Sequence, residues 1–232
     1  MKQEQSKRIQ TSLLNAAEKR VLIGLAERQP RWMTSDILTA IGVVGSIVVA
    51  IGYILSNFHP GWLWLASMGF VINWYGDSLD GTLARVRNRQ RPIYGYYIDH
   101  TIDCINEFMI FIGIGLSGLM HFELAMMILA VYFMLTINVS INAHLKKEFR
   151  LTYARLGPTE FRILAVIANT VLILVPWFTE YRTTCILMGR EFTFASLDYL
   201  GVLVFIVLLV IYLSTIIHDA KEYSEMDPMP EN

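Results

Sequence analysis

The chain has 232 residues, 54% of them hydrophobic and 17% charged, with a formal net charge of −1. Length alone admits one or two soluble domains, but the clustering of the apolar residues into long runs excludes that reading. Two cysteines, Cys104 and Cys185, show neither zinc-type spacing nor a disulfide framework.

The first residues, 1–12, are polar and charged, and no short apolar core with a cleavage site follows them. Over 13–27, Leu13, Leu14, Ala17, Val21, Leu22 and Leu25 fall mainly on one helical face, with Glu18, Lys19 and Arg20 largely off it. That pattern predicts an amphipathic helix lying in the membrane interface; the alternative is a helix packed on the protein's own surface. Thr34, Ser35 and Asp36 then precede the first long apolar run and offer N-caps.

Six apolar runs follow, at 38–57, 62–76 extending to the aspartates beyond, 102–119, 122–142, 162–178 and 197–217. A transmembrane helix needs about 20 residues, and a lipid-exposed backbone must satisfy its own hydrogen bonds. The sequence therefore predicts an all-α polytopic membrane protein with six transmembrane helices and an N-terminal interfacial amphipathic helix. The expected organisation is a cytosolic N-terminal segment over 1–33, a six-helix catalytic domain over 34–220, and a flexible cytosolic tail over 221–232. His59-Pro60-Gly61 marks a tight turn, and Pro92 predicts the end of one helix between Arg87 and Pro92, with the next starting at Tyr94 or Gly95. Gly157-Pro158-Thr159-Glu160 signals a further helix start, and Pro176 a bend or an end.

Basic residues set the expected orientation. Arg85, Arg87, Arg89 and Arg91 follow the second run, and Lys146, Lys147, Arg150 and Arg155 follow the fourth, whereas the links near 58–61 and 119–121 carry no lysine or arginine. This bias places both termini and the aspartates on the cytoplasmic side of an inner or plasma membrane. Anionic lipid headgroups account for the arginine loop better than nucleic acid does.

The chemistry is concentrated in residues 77–103. Asp77 and Asp80 are i,i+3 and share a face at the end of one predicted helix; Asp99 and Asp103 are i,i+4 at the start of the next. A short connection makes these helices antiparallel neighbours, so the acidic faces meet. Carboxylates so placed repel one another unless cations lie between them, and an all-oxygen set suits Mg²⁺, Mn²⁺ or Ca²⁺. Gly81 and Ala84 let either a ligand or a neighbouring helix approach the backbone. A divalent-cation transporter is the main rival, but it would place carboxylates near the bilayer midplane rather than beside four arginines.

The run Asp77-Ser-Leu-Asp80-Gly81-Thr82-Leu-Ala84-Arg85, with Gly95, Asp99 and Asp103 beyond it, resembles the signature of the CDP-alcohol phosphotransferase family of integral membrane enzymes. Every specified position of that pattern is present; the spacer, 86–94, is one residue longer than is common. Residues 31–40, with Thr34, Asp36 and Thr39, are similar to the segment preceding the family's first span, and the likeness covers roughly 28–220. The resemblance implies a homodimeric enzyme of phospholipid biosynthesis that moves a substituted phosphate from a CDP-linked donor to an alcohol and releases CMP. It implies that Asp77, Asp80, Asp99 and Asp103 hold Mg²⁺ or Mn²⁺, with Asp103 also the base. It further implies that Gly81 and Ala84 line the cytidine pocket, with Thr82 and Arg85 beside them.

Two donor arrangements are open. The compact chain favours CDP-diacylglycerol with a small polar alcohol; Asp99-His100 and Gly157-Pro158-Thr159-Glu160 resemble the branch that transfers phosphocholine or phosphoethanolamine to diacylglycerol. Arg162, inside the fifth run, is a candidate to bind an anionic acceptor such as a polyol phosphate, helped by Lys146, Lys147 and Arg155, with Glu160 as a possible ion-pair partner. Asn73, one turn before Asp77, either contacts nucleotide or belongs to a packing network; Glu107, one turn beyond Asp103, either binds an acceptor hydroxyl or bonds a neighbouring helix. Asn138, Ser140 and Asn142 either face the cavity or join helices.

Overall fold

The computed structural model describes residues 7–9, 15–146, 148–150, 158–187 and 190–229. The chain is largely helical: α1 Asn15–Glu27, α2 Ser35–Leu55, α3 Leu63–Val86, α4 Pro92–Leu116, α5 Phe122–Lys146, α6 Pro158–Leu174, α7 Pro176–Glu180 and α8 Ser196–Met226. Two small strand pairs accompany the helices. β1 (Lys7–Ile9) runs parallel to β2 (Glu148–Arg150), and β3 (Arg182–Leu187) pairs antiparallel with β4 (Arg190–Ala195).

Local chemistry sets the helix ends. Thr34 caps α2, its side chain accepting from the Ile37 amide. A 3₁₀ turn, Pro60–Trp62, leads into α3. Helix α3 stops at Val86, and Asn88 beyond it takes a positive φ of 53°. Helix α4 opens at Pro92 itself, earlier than Tyr94 or Gly95, because proline in the first turn lacks only an N–H that would have no partner there. Pro158 opens α6 in the same way, and Pro176 separates α6 from α7.

The expectation of six transmembrane helices does not hold. The apolar runs are largely helical, the fifth being split between α6 and α7, but among the described residues three helices are long and apolar enough to cross a membrane: Ser35–Leu55, Phe122–Leu145 and Ser196–Met226. The reason lies in the other helices' composition and length. α3 ends in a stretch carrying Asp77, Asp80 and Arg85, α4 carries Asp99, Asp103 and Glu107, and α6 has 17 residues, short of the span length. The three long apolar helices make this a membrane-associated protein.

Part of the apolar face of α1 packs on the protein's own helices. Leu22 and Ala26 are buried with Leu38, Leu79 and Leu83, and Leu25 packs against them. α2 and α3 thus cover Leu22, Leu25 and Ala26, while Ala17 and Val21 on the predicted face stay exposed and Leu13 and Leu14 lie outside the described residues. Two polar anchors hold α1 there. Glu18 Oε1 accepts from Trp74 Nε1 of α3 (2.8 Å) and Thr159 Oγ1 of α6 (2.6 Å). Arg87 donates to the carbonyls of Gln29, Pro30 and Met33, just past the helix end.

The closest helix pair is α2 with α3. A Cβ at Gly45 would collide with the Asn73 backbone, and one at Gly76 with the Gly42 backbone. Glycine at these positions lets the two backbones touch. The central core is Val49, Tyr53, Leu63, Ala66, Phe70, Ile110 and Leu172, joined by a buried polar thread in which Tyr53 donates to Asn169, and Asn169 to Ser67. A second core joins α4, α5 and α8 around Phe111, Ala125, Ile128 and Leu129.

Candidate active site

At one end of the bundle, α3 finishes while α2, α4 and α6 begin. Antiparallel packing brings the two acidic faces together there. Ligand oxygens of Asp77 from α3 and of Asp99 and Asp103 from α4 all lie within 4.8 Å of one another, each side chain half-buried. Three carboxylates at that spacing repel strongly when ionised, and a cation between them removes the penalty.

Asp80, the fourth aspartate of the sequence reading, stands apart from this trio. Its Oδ2 accepts from Thr39 Oγ1 of α2 at 2.6 Å, and its Oδ1 from the Gly81 amide. The glycine-lined contact between α2 and α3 is what brings Thr39 within reach. Ser35 Oγ adds a bond to the Asp80 carbonyl (2.9 Å), fixing the same turn of α3 to the start of α2.

Arg162 of α6 closes the third side. Its Nη2 donates to Asp77 Oδ2 at 2.6 Å and its Nε to Asn73 Oδ1 at 2.9 Å. The guanidinium is therefore directed to Asp77, not left to the nearby Glu160. Asn73 is fully buried and donates through Nδ2 to the Gly42 carbonyl (2.9 Å). It meets the site through Arg162, and the nitrogen and oxygen of its side-chain amide are engaged by α2 and α6 respectively.

Gly81 and Ala84 are half-buried on the side of α3 beyond Asp80. A Cβ at Gly81 would meet the Arg85 guanidinium at 3.4 Å, and no other helix backbone. Close helix packing accounts for Gly42, Gly45 and Gly76; it does not account for Gly81. Arg85 is exposed, with Nη2 donating to the buried Thr82 hydroxyl (2.9 Å). His100 Nδ1 hydrogen-bonds the Tyr96 carbonyl (2.9 Å) and lies 3.7 Å from Asp99 Oδ2, with its ring tilted against Tyr96 at 4.2 Å between centroids.

Asn138 and Asn142 do not enter this site. Both donate to Asp219 Oδ2, at 2.9 and 2.7 Å, and join α5 to α8, while Ser140 bonds back to the Thr136 carbonyl. The side chains of Lys146, Lys147 and Arg155 lie outside the described residues. The sequence reading missed Tyr132 of α5, which lies within electrostatic reach of Glu107 and Asp103. A single tyrosine in an apolar run carries no periodic or motif signal that could have singled it out.

Residues 32–212 match the CDP-alcohol phosphatidyltransferase family, and the chain belongs to that family. Among curated relatives, it is 34% identical over 84 residues to a phosphatidylinositol phosphate synthase of Cutibacterium acnes, covering 36% of this chain and 38% of that protein. It is 32% identical over 97 residues to an archaetidylinositol phosphate synthase of Methanothermobacter thermautotrophicus, covering 40% and 47%. Another archaetidylinositol phosphate synthase, from Pyrococcus horikoshii, is 25% identical over 114 residues, covering 47% and 60%. The matched stretches thus span between about two fifths and three fifths of those relatives' own lengths.

Proposed function

We propose that the protein transfers a phosphatidyl group from CDP-diacylglycerol to a polyol phosphate, of the inositol phosphate kind named for its relatives, and releases CMP. The observation that carries this reading is the convergence of Asp77, Asp99 and Asp103 beside Arg162. Family membership and the name of one relative support the phosphatidyl donor, and the inositol phosphate in all three names supports the acceptor class.

The donor set fits a hard divalent cation, because it consists of carboxylate oxygens close enough to share one ion. Asp77, Asp99 and Asp103 would hold Mg²⁺ or Mn²⁺, with Asp80 adding a ligand if it turns from Thr39. When bound, the cation polarises the donor diphosphate and stabilises charge on the CMP leaving group.

The chain's own residues do the rest. Asp103 takes the proton from the acceptor hydroxyl as that oxygen attacks phosphorus in line. The new oxygen–phosphorus bond forms, the bond to the CMP oxygen breaks, and the proton stays on Asp103. Gly81 leaves the α3 backbone open, so with Ala84 it flanks the cytidine; Thr82 positions Arg85 toward the donor phosphates. Arg162 holds Asp77 in orientation and presents positive charge to an acceptor phosphate. The basic segments flanking the aspartates support a cytoplasmic active site, and the enzyme works as a homodimer in the membrane.

The test is CMP release by purified protein. CDP-diacylglycerol and CDP-choline are supplied separately, each with inositol phosphate, glycerol phosphate, uncharged polyols and diacylglycerol. CMP released from CDP-diacylglycerol only with a polyol phosphate is the expected result. Release confined to CDP-choline with diacylglycerol, or none with any pair, overturns the reading.

A further inference from the structure

Glu107 is a half-buried carboxylate in this region that the proposed chemistry leaves unused. It lies four residues beyond Asp103 on the same face of α4, about 6 Å further along the helix. Its Oε2 is buried and has no hydrogen-bond partner among the described residues. Tyr132 of α5, Asp77 and Arg162 are within electrostatic reach of the same carboxyl group. A buried acceptor atom without a donor is destabilising, and such atoms in native folds call for a cause.

We infer that Glu107 is a positioning residue for the acceptor, receiving a second hydroxyl of a polyol while Asp103 serves the attacking one; this rests on the proposed transfer reaction. The two carboxylates succeed each other along one helix face, as hydroxyls succeed each other along a polyol. Asp77 and Arg162 act on the Glu107 carboxyl electrostatically, so its unpartnered oxygen belongs to the same acidic and basic neighbourhood. A polyol phosphate then meets Arg162 with its phosphate, Asp103 with one hydroxyl and Glu107 with the next. An acceptor with a single hydroxyl gains nothing from Glu107. The side chain therefore selects for polyhydroxylated acceptors.

The experiment compares wild type, Glu107→Gln, Glu107→Met and Tyr132→Phe. Acceptor KM is measured with inositol phosphate and with 2-hydroxyethyl phosphate, which has one hydroxyl. Donor KM and melting temperature are measured alongside. Loss of a charged hydrogen bond predicts a roughly 10- to 100-fold rise in the inositol phosphate KM for Glu107→Met. Glu107→Gln, which keeps one acceptor oxygen, gives a smaller rise. The KM for 2-hydroxyethyl phosphate and the donor KM stay within about twofold of wild type. Equal defects toward both acceptors, or an unchanged inositol phosphate KM, overturn the inference. An unchanged KM with melting temperatures lowered alike in Glu107→Met and Tyr132→Phe makes Glu107 a tie between α4 and α5. A wild type that releases no CMP with any acceptor fails at the earlier step, and the reaction itself is then wrong.

Discussion

Arg162 Nη2 donates to Asp77 Oδ2 at 2.6 Å across 85 residues of sequence, and the same guanidinium holds the buried Asn73 through Nε. The bond fixes one carboxylate of the trio from outside the motif that supplies it. A guanidinium makes both contacts at once because its donors are held in a planar fork; an ammonium offers one compact charge. Arg162→Lys is therefore expected to lose about tenfold or more in turnover while the protein remains folded, with Arg162→Ala falling further. Turnover and melting temperature measured on both variants check this; a fully active Arg162→Lys would show that the fork is dispensable.

Cation dependence follows from the trio itself. EDTA should abolish CMP release, and added Mg²⁺ or Mn²⁺ should restore it. Asp77→Asn and Asp99→Asn should each raise the metal concentration needed for half-activation by about tenfold or more, since each removes one charged ligand from a set of three. Titration of activity against free cation reads the effect directly, and undiminished turnover after rigorous chelation would remove the metal from the mechanism.

Asp103 and Asp80 should separate. Asp103→Asn is expected to lower turnover by about 10²–10⁴ while donor binding survives in part, the range for loss of a general base. Thr39→Val frees Asp80 from its bond to α2 and should change donor and metal affinity with little loss of fold. Nucleotide binding and turnover on the same preparations distinguish the two roles. Near-normal turnover in Asp103→Asn would require another base.

Glycine substitutions should divide in the same way. Gly76→Ala forces α2 and α3 apart and should cost about 1–3 kcal/mol, seen as a lower melting temperature. Gly81→Ala meets only the end of a flexible side chain, so the fold should persist while CDP binding weakens. Equal thermal losses in both variants would return Gly81 to the packing interface.

Much of this site is readable before any coordinates, because i,i+3 and i,i+4 spacing places Asp77 with Asp80 and Asp99 with Asp103 whatever the tertiary fold. Convergence of three of them follows from the short turn between α3 and α4. The departure of Asp80 does not follow, since it depends on Thr39, brought close by glycines whose packing partners no local pattern reveals. Tyr132 is hidden for the same reason. The six-span expectation counted apolar runs without weighing the carboxylates inside α3 and α4 or the shortness of α6. For α1, amphipathicity shows which face is apolar; it does not say whether lipid or Leu79 and Leu83 will cover it.

Glu18 accepts one bond from the helix bearing Asp77 and another from the helix bearing Arg162. One carboxylate outside the matched family segment thus staples together the two walls whose spacing sets the Asp77–Arg162 contact. A chain begun at residue 34 would keep every residue of the chemistry and lose that brace, along with the lid over Leu79 and Leu83. The geometry of the aspartate site thus depends on a residue well upstream of the first aspartate it uses.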